Sequence, residues 1–335
     1  MKKYIFLFAS LFYCGFVLAS VPADTINKYD SKGKKQGKWI KKNSAGKIIY
    51  EGTFKENIPT GKFIYYSETG EVNVISIFSD DGKTVMSNFF FQGNILESEG
   101  KYVNQKRDGV WKFYLGKDIL GSEENYKNGK KDGLEKNYFP NGKLSEEKTW
   151  KDSIQHGQWK QYYDDGTIKS FGTYNNGFLE GEVKYYFPGN IISVEGHFQH
   201  SVKHGKWTYY NRDGNIIINI ENYNTGLLEG EFAEWYEKDG KPKSKGQFKK
   251  GREDGKWITW FANRNVQIEI EYKLGDYHGS FVEYYENGKK KTEGNYFFGN
   301  KTGKWIEWNE DGMIVKEETC DSIDMIKKKT AEKKK

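Results

Sequence analysis

The stretch GQWKQYYDDGTIKSFGTYNNGFLEG, from Gly157 to Gly181, contains one complete copy of a unit that the chain repeats. A fixed period of this length predicts a repeat architecture, in which each unit buries its apolar face by stacking on its neighbours. The interval between Gly61 and Gly109 has room for one more copy, whose leading glycine is lost near Val85, so we count about twelve copies. The leading glycines are Gly37, Gly61, Gly109, Gly133, Gly157, Gly181, Gly205, Gly230, Gly255, Gly279 and Gly303.

Positions within a copy are numbered as slots, with the leading glycine as slot zero. Slot two holds a tryptophan in many copies and Phe63, Val183, Phe232, Phe281 or the polar Glu135 in others. The slot-two tryptophans are Trp39, Trp111, Trp159, Trp207, Trp257 and Trp305. Slot five is a second aromatic position, and its rings from the third leading glycine onward are Tyr114, Tyr138, Tyr162, Tyr186, Tyr210, Trp235, Trp260, Tyr284 and Trp308. Glycine often occupies slot fifteen, and an aromatic residue usually occupies slot seventeen.

Each copy has the pattern of a β-hairpin. Asn-Gly or Asp-Gly at slots eight and nine, as in Asp165-Gly166, is typical of a two-residue turn in which both residues have positive φ. In such a hairpin, directly opposed slots sum to seventeen. Trp39 should then lie over Gly52, and Phe54 over Gly37, so that rings shield bare glycine backbone.

A second turn, such as Asn176-Gly177, joins each hairpin to the next. We therefore predict an all-β chain: an elongated, single-layer antiparallel β-meander, solenoid-like, built from about twelve 24-residue β-hairpin repeats. Slots two and five have opposite parity, so both faces should carry rings unless a bulge intervenes. The alternation of tryptophan with other residues at slot two has several conceivable causes, among which the sequence does not choose.

The ends of the chain differ from the array. Met1-Lys2-Lys3, an apolar run to Leu18 and the small residues before Ser20 predict a signal peptide over residues 1–19. A short linker over 20–27, the repeat array over 28–318 and a basic, disordered tail over 319–335 complete the predicted organisation. Cleavage would leave Cys320 as the one cysteine of the mature chain, with pairing between molecules as one option and a free thiol as the other.

The array resembles the MORN repeat, and more closely its bacterial variant. The residues that carry the resemblance are Glu195-Gly196-His197-Phe198, then Lys203 to Tyr210, and Asp213-Gly214. The resemblance covers about residues 28–318 and implies a twisted meander of hairpins used as a scaffold or interaction surface. Membrane-lipid association, dimerisation and partner docking are roles that it implies for such proteins.

No catalytic, cofactor or metal site is predicted. His197 and His200 would point to opposite sides of a strand, and the slot of His204 holds aspartate in other copies. The carboxylates recur in repeat slots and do not form a unique pair, as a glycosidase would need. The sequence therefore predicts a protein that is not an enzyme.

The function expected is that of an exported scaffold, secreted or held in the periplasm or cell envelope, which binds a protein partner through the slot-five rings. Two alternatives stay open, a cell-surface glycan-binding module and a protein that associates with anionic membrane lipid through its rings and basic tail. A formal net charge of +6, with both signs spread along the chain, gives no indication of specific nucleic-acid binding. Unpaired strand edges make a dimer conceivable.

Overall fold

The computed structural model describes residues 25–332, which form two compact units, residues up to Lys106 and residues from Arg107 onward. The predicted signal peptide, and most of the predicted linker, lie outside the described residues. The strands of the first unit are β1 (Lys28–Tyr29), β2 (Lys35–Lys42), β3 (Ile48–Lys55), β4 (Ile58–Tyr66), β5 (Val72–Phe78), β6 (Thr84–Phe91) and β7 (Ile95–Val103).

The strands of the second unit are similar in length to those of the first, apart from several two-residue segments, each of which a break separates from the strand that follows. Its elements are β8 (Lys106–Gly116), β9 (Ile119–Lys127), β10 (Lys130–Lys131), β11 (Gly133–Tyr138), β12 (Leu144–Lys151), β13 (Ile154–Tyr162), β14 (Ile168–Asn175), β15 (Phe178–Leu179), β16 (Gly181–Phe187), β17 (Ile191–Gln199), β18 (Val202–Tyr210), β19 (Ile217–Asn224), β20 (Leu227–Leu228), β21 (Gly230–Trp235), β22 (Pro242–Lys249), β23 (Arg252–Glu253), β24 (Gly255–Trp260), β25 (Val266–Lys273), β26 (Asp276–Tyr284), β27 (Lys290–Phe297), β28 (Asn300–Trp308), β29 (Ile314–Cys320) and helix α1 (Ile323–Glu332).

Within each unit, successive strands pair antiparallel with their neighbours in the chain, as in β2–β3–β4 and β16–β17–β18. This confirms the all-β class and the meander of hairpins in each unit. The predicted register is also confirmed, because Gly157 lies opposite Tyr174 and Trp159 opposite Gly172. In both pairs the slots sum to seventeen.

The hairpin turn itself differs from the prediction. In the copy that begins at Gly157, the Tyr163 amide donates to the Thr167 carbonyl at 2.9 Å, which leaves a loop of three residues. Positive φ in that loop is confined to Gly166, at 95°, as in a type I turn followed by a left-handed residue. The pairing then shifts by one residue between Gln161 and Tyr162, and this bulge restores the sum of seventeen.

Two-residue turns with positive φ at both positions instead join one hairpin to the next. Glu56 and Asn57 have φ of 51° and 71°, and Asn176 and Gly177 have φ of 50° and 86°. Both pairs are type I′ turns. Each such turn is also tied to the preceding hairpin, as where the Gly177 amide donates to the Gln155 carbonyl at 2.8 Å.

The leading glycine marks a break in the ladder between hairpins. Between β17 and β18, Glu195 lies opposite Thr208 but His197 lies opposite His204, so the pairing slips by two residues around Gly205. Gly205 has a φ of 66°, and a Cβ built on it would meet nothing within 4 Å. The slot-zero glycine is therefore required by its backbone conformation, and the prediction that a ring covers it is wrong.

The basic tail also differs from the prediction of disorder, since residues Ile323–Glu332 form α1 against β28. Ile326 is buried, and the Lys329 ammonium lies 2.5 Å from the Asp321 carboxylate. Cys320 is a free, half-buried thiol. Within residues 25–332, no helix is long and apolar enough to span a bilayer.

Candidate binding faces of the repeat sheets

Side chains of slots two and seventeen share one face of the sheet, which we call the ring face. The ring of slot two lies on the slot-fifteen glycine of the preceding hairpin, not on the glycine opposite it. A Cβ added to Gly52 would overlap the Phe63 ring, and one added to Gly196 would overlap the Trp207 indole. The predicted cover of Gly52 by Trp39 is thus corrected, because the bulge at the leading glycine brings the next hairpin's ring over it.

From Trp207 onward, this packing explains the alternation at slot two, whereas in earlier copies Trp159 follows Lys148 and Val183 follows Gly172. Trp207, Trp257 and Trp305 each lie on a slot-fifteen glycine and are at most 8% exposed. The slot-fifteen residues that precede Phe232 and Phe281 are Glu221 and Ile270, and these phenyl rings are only half-buried. In the copies from Trp207 onward, a large indole is therefore paired with the residue that has no side chain.

A basic side chain from two residues before the leading glycine covers many of these rings. The Lys203 ammonium lies 4.3 Å from the Trp207 ring centroid, and the Lys301 ammonium lies 4.3 Å from that of Trp305. Arg107 lies 4.4 Å from the Trp111 ring. Cation–π contact and the aliphatic stems of these residues close the ring face in these copies.

Slot two of the copy at Gly133 departs from this pattern, because it holds the buried Glu135. Its carboxylate lies 2.6 Å from the Lys131 ammonium and 3.7 Å from that of Lys148. Burial lowers the pKa of Lys131, but hydrogen bonds to Glu135 and Glu124 outweigh this and raise it above the ordinary lysine value. An ion-pair network thus fills the place of the ring.

The slot-five side chains lie on the opposite face, called the slot-five face, and all nine predicted binding residues are half-buried there. Several tyrosines among them donate their hydroxyl to the slot-fourteen glutamate of the preceding hairpin. The distances are 3.0 Å from Tyr138 to Glu123, 2.7 Å from Tyr162 to Glu147 and 2.6 Å from Tyr210 to Glu195. These bonds fix the orientation of the rings.

The environment of these tyrosines favours the neutral phenol. Burial and then the hydrogen bond to Glu195 raise the pKa of Tyr210 to about 12, and the same causes, with Glu123, raise that of Tyr138 to about 12. Lysines share this face, and the Lys256 ammonium lies 2.5 Å from the Glu269 carboxylate. The slot-five face is therefore a mixed-charge surface with regularly repeated, oriented rings.

The first unit contains an open site that the sequence analysis missed. We call it the hollow, a depression of about 350 Å³ on the ring face whose floor is Ser76 and Ser87. Its walls are Tyr65, Val74, Phe78, Val85, Phe89, Tyr102 and Gln105. The signal for it was the lost leading glycine near Val85, because slot two of that copy is then Ser87 instead of a ring. Within residues 25–332, no group of His, Cys, Asp and Glu is arranged to hold a metal.

Comparison with solved structures gives weak global likenesses. A crystal structure of TcdB2–TccC3–Cdc42 is 12% identical, covering 79% of this chain and 16% of that chain, with a TM-score of 0.18. A Tc holotoxin pore of Photorhabdus luminescens is 9% identical, covering 85% of this chain and 16% of that chain, with a TM-score of 0.17. This chain thus spans about a sixth of the length of each. Scores this low support no conclusion about fold or function.

Comparison with sequences is more informative. Among curated proteins, none matches this chain. Residues 131–152, 155–176 and 277–297 match the family described as MORN repeat variant. Each match falls on the hairpin units described above, so the sequence resemblance and the observed fold agree. This chain thus carries MORN-variant repeats at these three places.

Proposed function

We propose that the protein is an exported, non-catalytic scaffold that binds a protein partner along the slot-five face of its second unit. The observation that carries the proposal is the repeated row of slot-five tyrosines, held by glutamates in successive copies. Tyrosine and tryptophan are the side chains that most often dominate binding energy at protein interfaces. Rings held in one orientation lose little entropy when a partner docks.

The charges of this face favour a protein over a polyanion. Acidic side chains such as Glu147 and Glu269 stand beside the rings, and lysines such as Lys256 are paired with them. A surface for anionic lipid or nucleic acid would present unpaired cations. A polypeptide that carries both charge signs is the better complement.

The test is capture of partners from envelope and secreted fractions, with the chain as bait and the eluate divided for protein and glycan analysis. Affinity for the captured protein is then measured with Tyr138→Ala, Tyr162→Ala and Tyr210→Ala, singly and combined. Each single change should weaken binding about threefold to tenfold, and the triple change by more, because binding is distributed over copies. Asp164→Ala, at an exposed position of a hairpin loop and outside the slot-five face, is the matched control.

Two results would overturn the proposal. Undiminished affinity in the triple variant would show that the slot-five face is not part of the interface. Capture of polysaccharide without a protein would replace the scaffold by a glycan-binding module.

A further inference from the structure

The hollow has walls like those around Trp207, but no ring lies at its centre. In the second unit, seven partly buried side chains pack against the cluster of Leu179, Val183 and Trp207. Two of them are Trp159 and Tyr174, and the other five, which form a wall from fixed slots, are Tyr185, Val194, Phe198, Tyr209 and Tyr223. The residues at the same slots around Ser87 are Tyr65, Val74, Phe78, Phe89 and Tyr102, and all five line the hollow. The wall is thus present in both places, but the hollow has no ring at its centre.

The floor of the hollow shows what replaced the ring. Where Trp207 lies on Gly196, the corresponding pair is Ser87 and Ser76, directly opposite each other on β5 and β6. Their hydroxyls are 2.8 Å apart, and the two side chains are 3% and 5% exposed. Two small side chains therefore satisfy each other and leave the volume above them empty.

The hollow also lacks the basic cover seen over other rings. β5 and β6 pair without a slip from Val74–Phe89 to Phe78–Val85, because Val85 has replaced the glycine at which the ladder otherwise breaks. The residue two before it, Lys83, consequently falls in the loop before β6 and is exposed. The lysine that corresponds to it, Lys203, lies over Trp207.

We propose that the hollow binds the indole side chain of a tryptophan presented by a partner polypeptide. The protein's own packing supplies the argument for this occupant, since Phe198 and Tyr223 hold Trp207 edge-on at centroid distances of 5.1 and 6.4 Å. Phe78 and Tyr102 occupy those two positions in the hollow. Edge-to-face contact with aromatic walls favours a planar ring over an aliphatic side chain.

The polarity of the hollow fits the same occupant. None of its nine lining residues is charged, and the serine hydroxyls and the Gln105 amide offer acceptors for an indole N–H. This inference rests on the proposed function only in taking the partner to be a protein. The hollow lies in the first unit and the proposed slot-five interface in the second, so the two proposals fail separately.

The test uses N-acetyl-5-fluorotryptophanamide as the probe and its ¹⁹F line width as the readout, with the full chain. The double variant Ser76→Gly/Ser87→Trp installs the glycine–tryptophan pair found at Gly196 and Trp207 and should weaken probe binding at least about tenfold. Met86→Trp is the matched control, because Met86 is exposed on the opposite face next to Ser87, and it should leave binding within about twofold.

A second variant keeps the test valid if the double variant misfolds. Ser87→Phe alone fills the same space, and circular dichroism and the melting temperature report folding of each protein. Equal probe binding by wild type and a folded filled variant would overturn the proposal, and so would equal competition by N-acetyl-leucinamide. Tyr162→Ala should leave probe binding unchanged, whereas the filled variant should weaken capture of the partner about tenfold or more.

Discussion

The copy around Gly196 and Trp207 and the copy around Ser76 and Ser87 have the same walls and different centres. In the first, a break in the ladder at Gly205 lets the indole lie on a glycine, and a lysine covers the ring. In the second, Val85 keeps the ladder regular and the centre is open. The two copies thus differ both at the leading position and at the centre of the ring face.

The copy at Gly133 offers a third solution to the same packing problem. Its centre is Glu135, which is buried and paired with Lys131 and Lys148. A missing ring therefore does not by itself make a site. The hollow stays open because the residues at its floor are both small and already bonded to each other.

The largest expected effect is that of removing the covered ring. Trp207→Ala should destabilise the hairpins around β18 by about 4 kcal/mol, because a buried indole is replaced by a void. Trp159→Ala should cost about half as much, since that half-buried ring follows Lys148 instead of a glycine. Amide hydrogen exchange of β13 and β18 measures both, as local opening is the relevant event in a repeat array. Equal losses of stability in the two variants would contradict the claim that a ring on a glycine is packed better than a ring on a lysine.

A methyl group placed under the ring should have the next largest effect. Gly196→Ala should cost about 1–3 kcal/mol, because the new Cβ overlaps the Trp207 indole and the ring must shift. Ser76→Ala, at the same slot of the hollow copy, should cost only about 1 kcal/mol for one lost hydrogen bond. Thermal unfolding of the two variants gives the comparison, and a larger loss for Ser76→Ala would argue against ring-on-glycine packing.

Gly205 and Val85 occupy the leading positions of their copies, and a glycine should stabilise the fold only at the first of them. Gly205→Ala should destabilise by about 1–2 kcal/mol because φ is 66° there, although its Cβ would meet nothing. Val85→Gly should also destabilise, by about 1 kcal/mol, since the regular ladder gains nothing from glycine. Urea titrations of both variants test this, and stabilisation by Val85→Gly would show that the hollow copy is strained.

The smallest expected effect is a contribution of Tyr210, on the slot-five face, to stability that depends on pH. Tyr210 has a pKa of about 12 in the fold against the ordinary 10.0, so its contribution to stability is complete below pH 10 and is lost as the pH rises through about 12. Tyrosinate absorbance, compared between wild type and Tyr210→Phe, reports its midpoint. Glu195→Gln should move that midpoint down, because the charge opposing ionisation is gone. An unchanged midpoint would contradict the pairing.

The sequence predicts the architecture well because glycine, aromatic and turn residues recur in fixed slots. The class, the hairpins and the pairing of slots that sum to seventeen all follow from that recurrence. The type of the hairpin turn was predicted wrongly, since Asp165-Gly166 fits both a two-residue and a three-residue loop, and only a compensating bulge distinguishes them. Local signals do not report a bulge that forms across two strands.

The sites were less predictable because they depend on departures from the repeat. The slot-five rings were recognised from the sequence as a row. Their hydrogen bonds to glutamates of the preceding hairpin were not predicted, because these bonds depend on how neighbouring hairpins pair. To predict the hollow, one must know that the slot-two ring packs on the slot-fifteen glycine of the previous copy. With that rule, Ser76 and Ser87 stand out in the sequence as a pair in which glycine and ring are both replaced by small residues, unlike Glu124 and Glu135.

The most direct test of the account is a double-mutant cycle on Gly196→Ala and Trp207→Val, read by hydrogen exchange of β17 and β18. Valine is the ring's natural alternative at this slot, as at Val183, which follows Gly172. If glycine and ring form one packing unit, Gly196→Ala should be costly with tryptophan and nearly neutral with valine, a coupling of about 1–3 kcal/mol. Additive effects, with the same cost of Gly196→Ala in both backgrounds, would contradict the account.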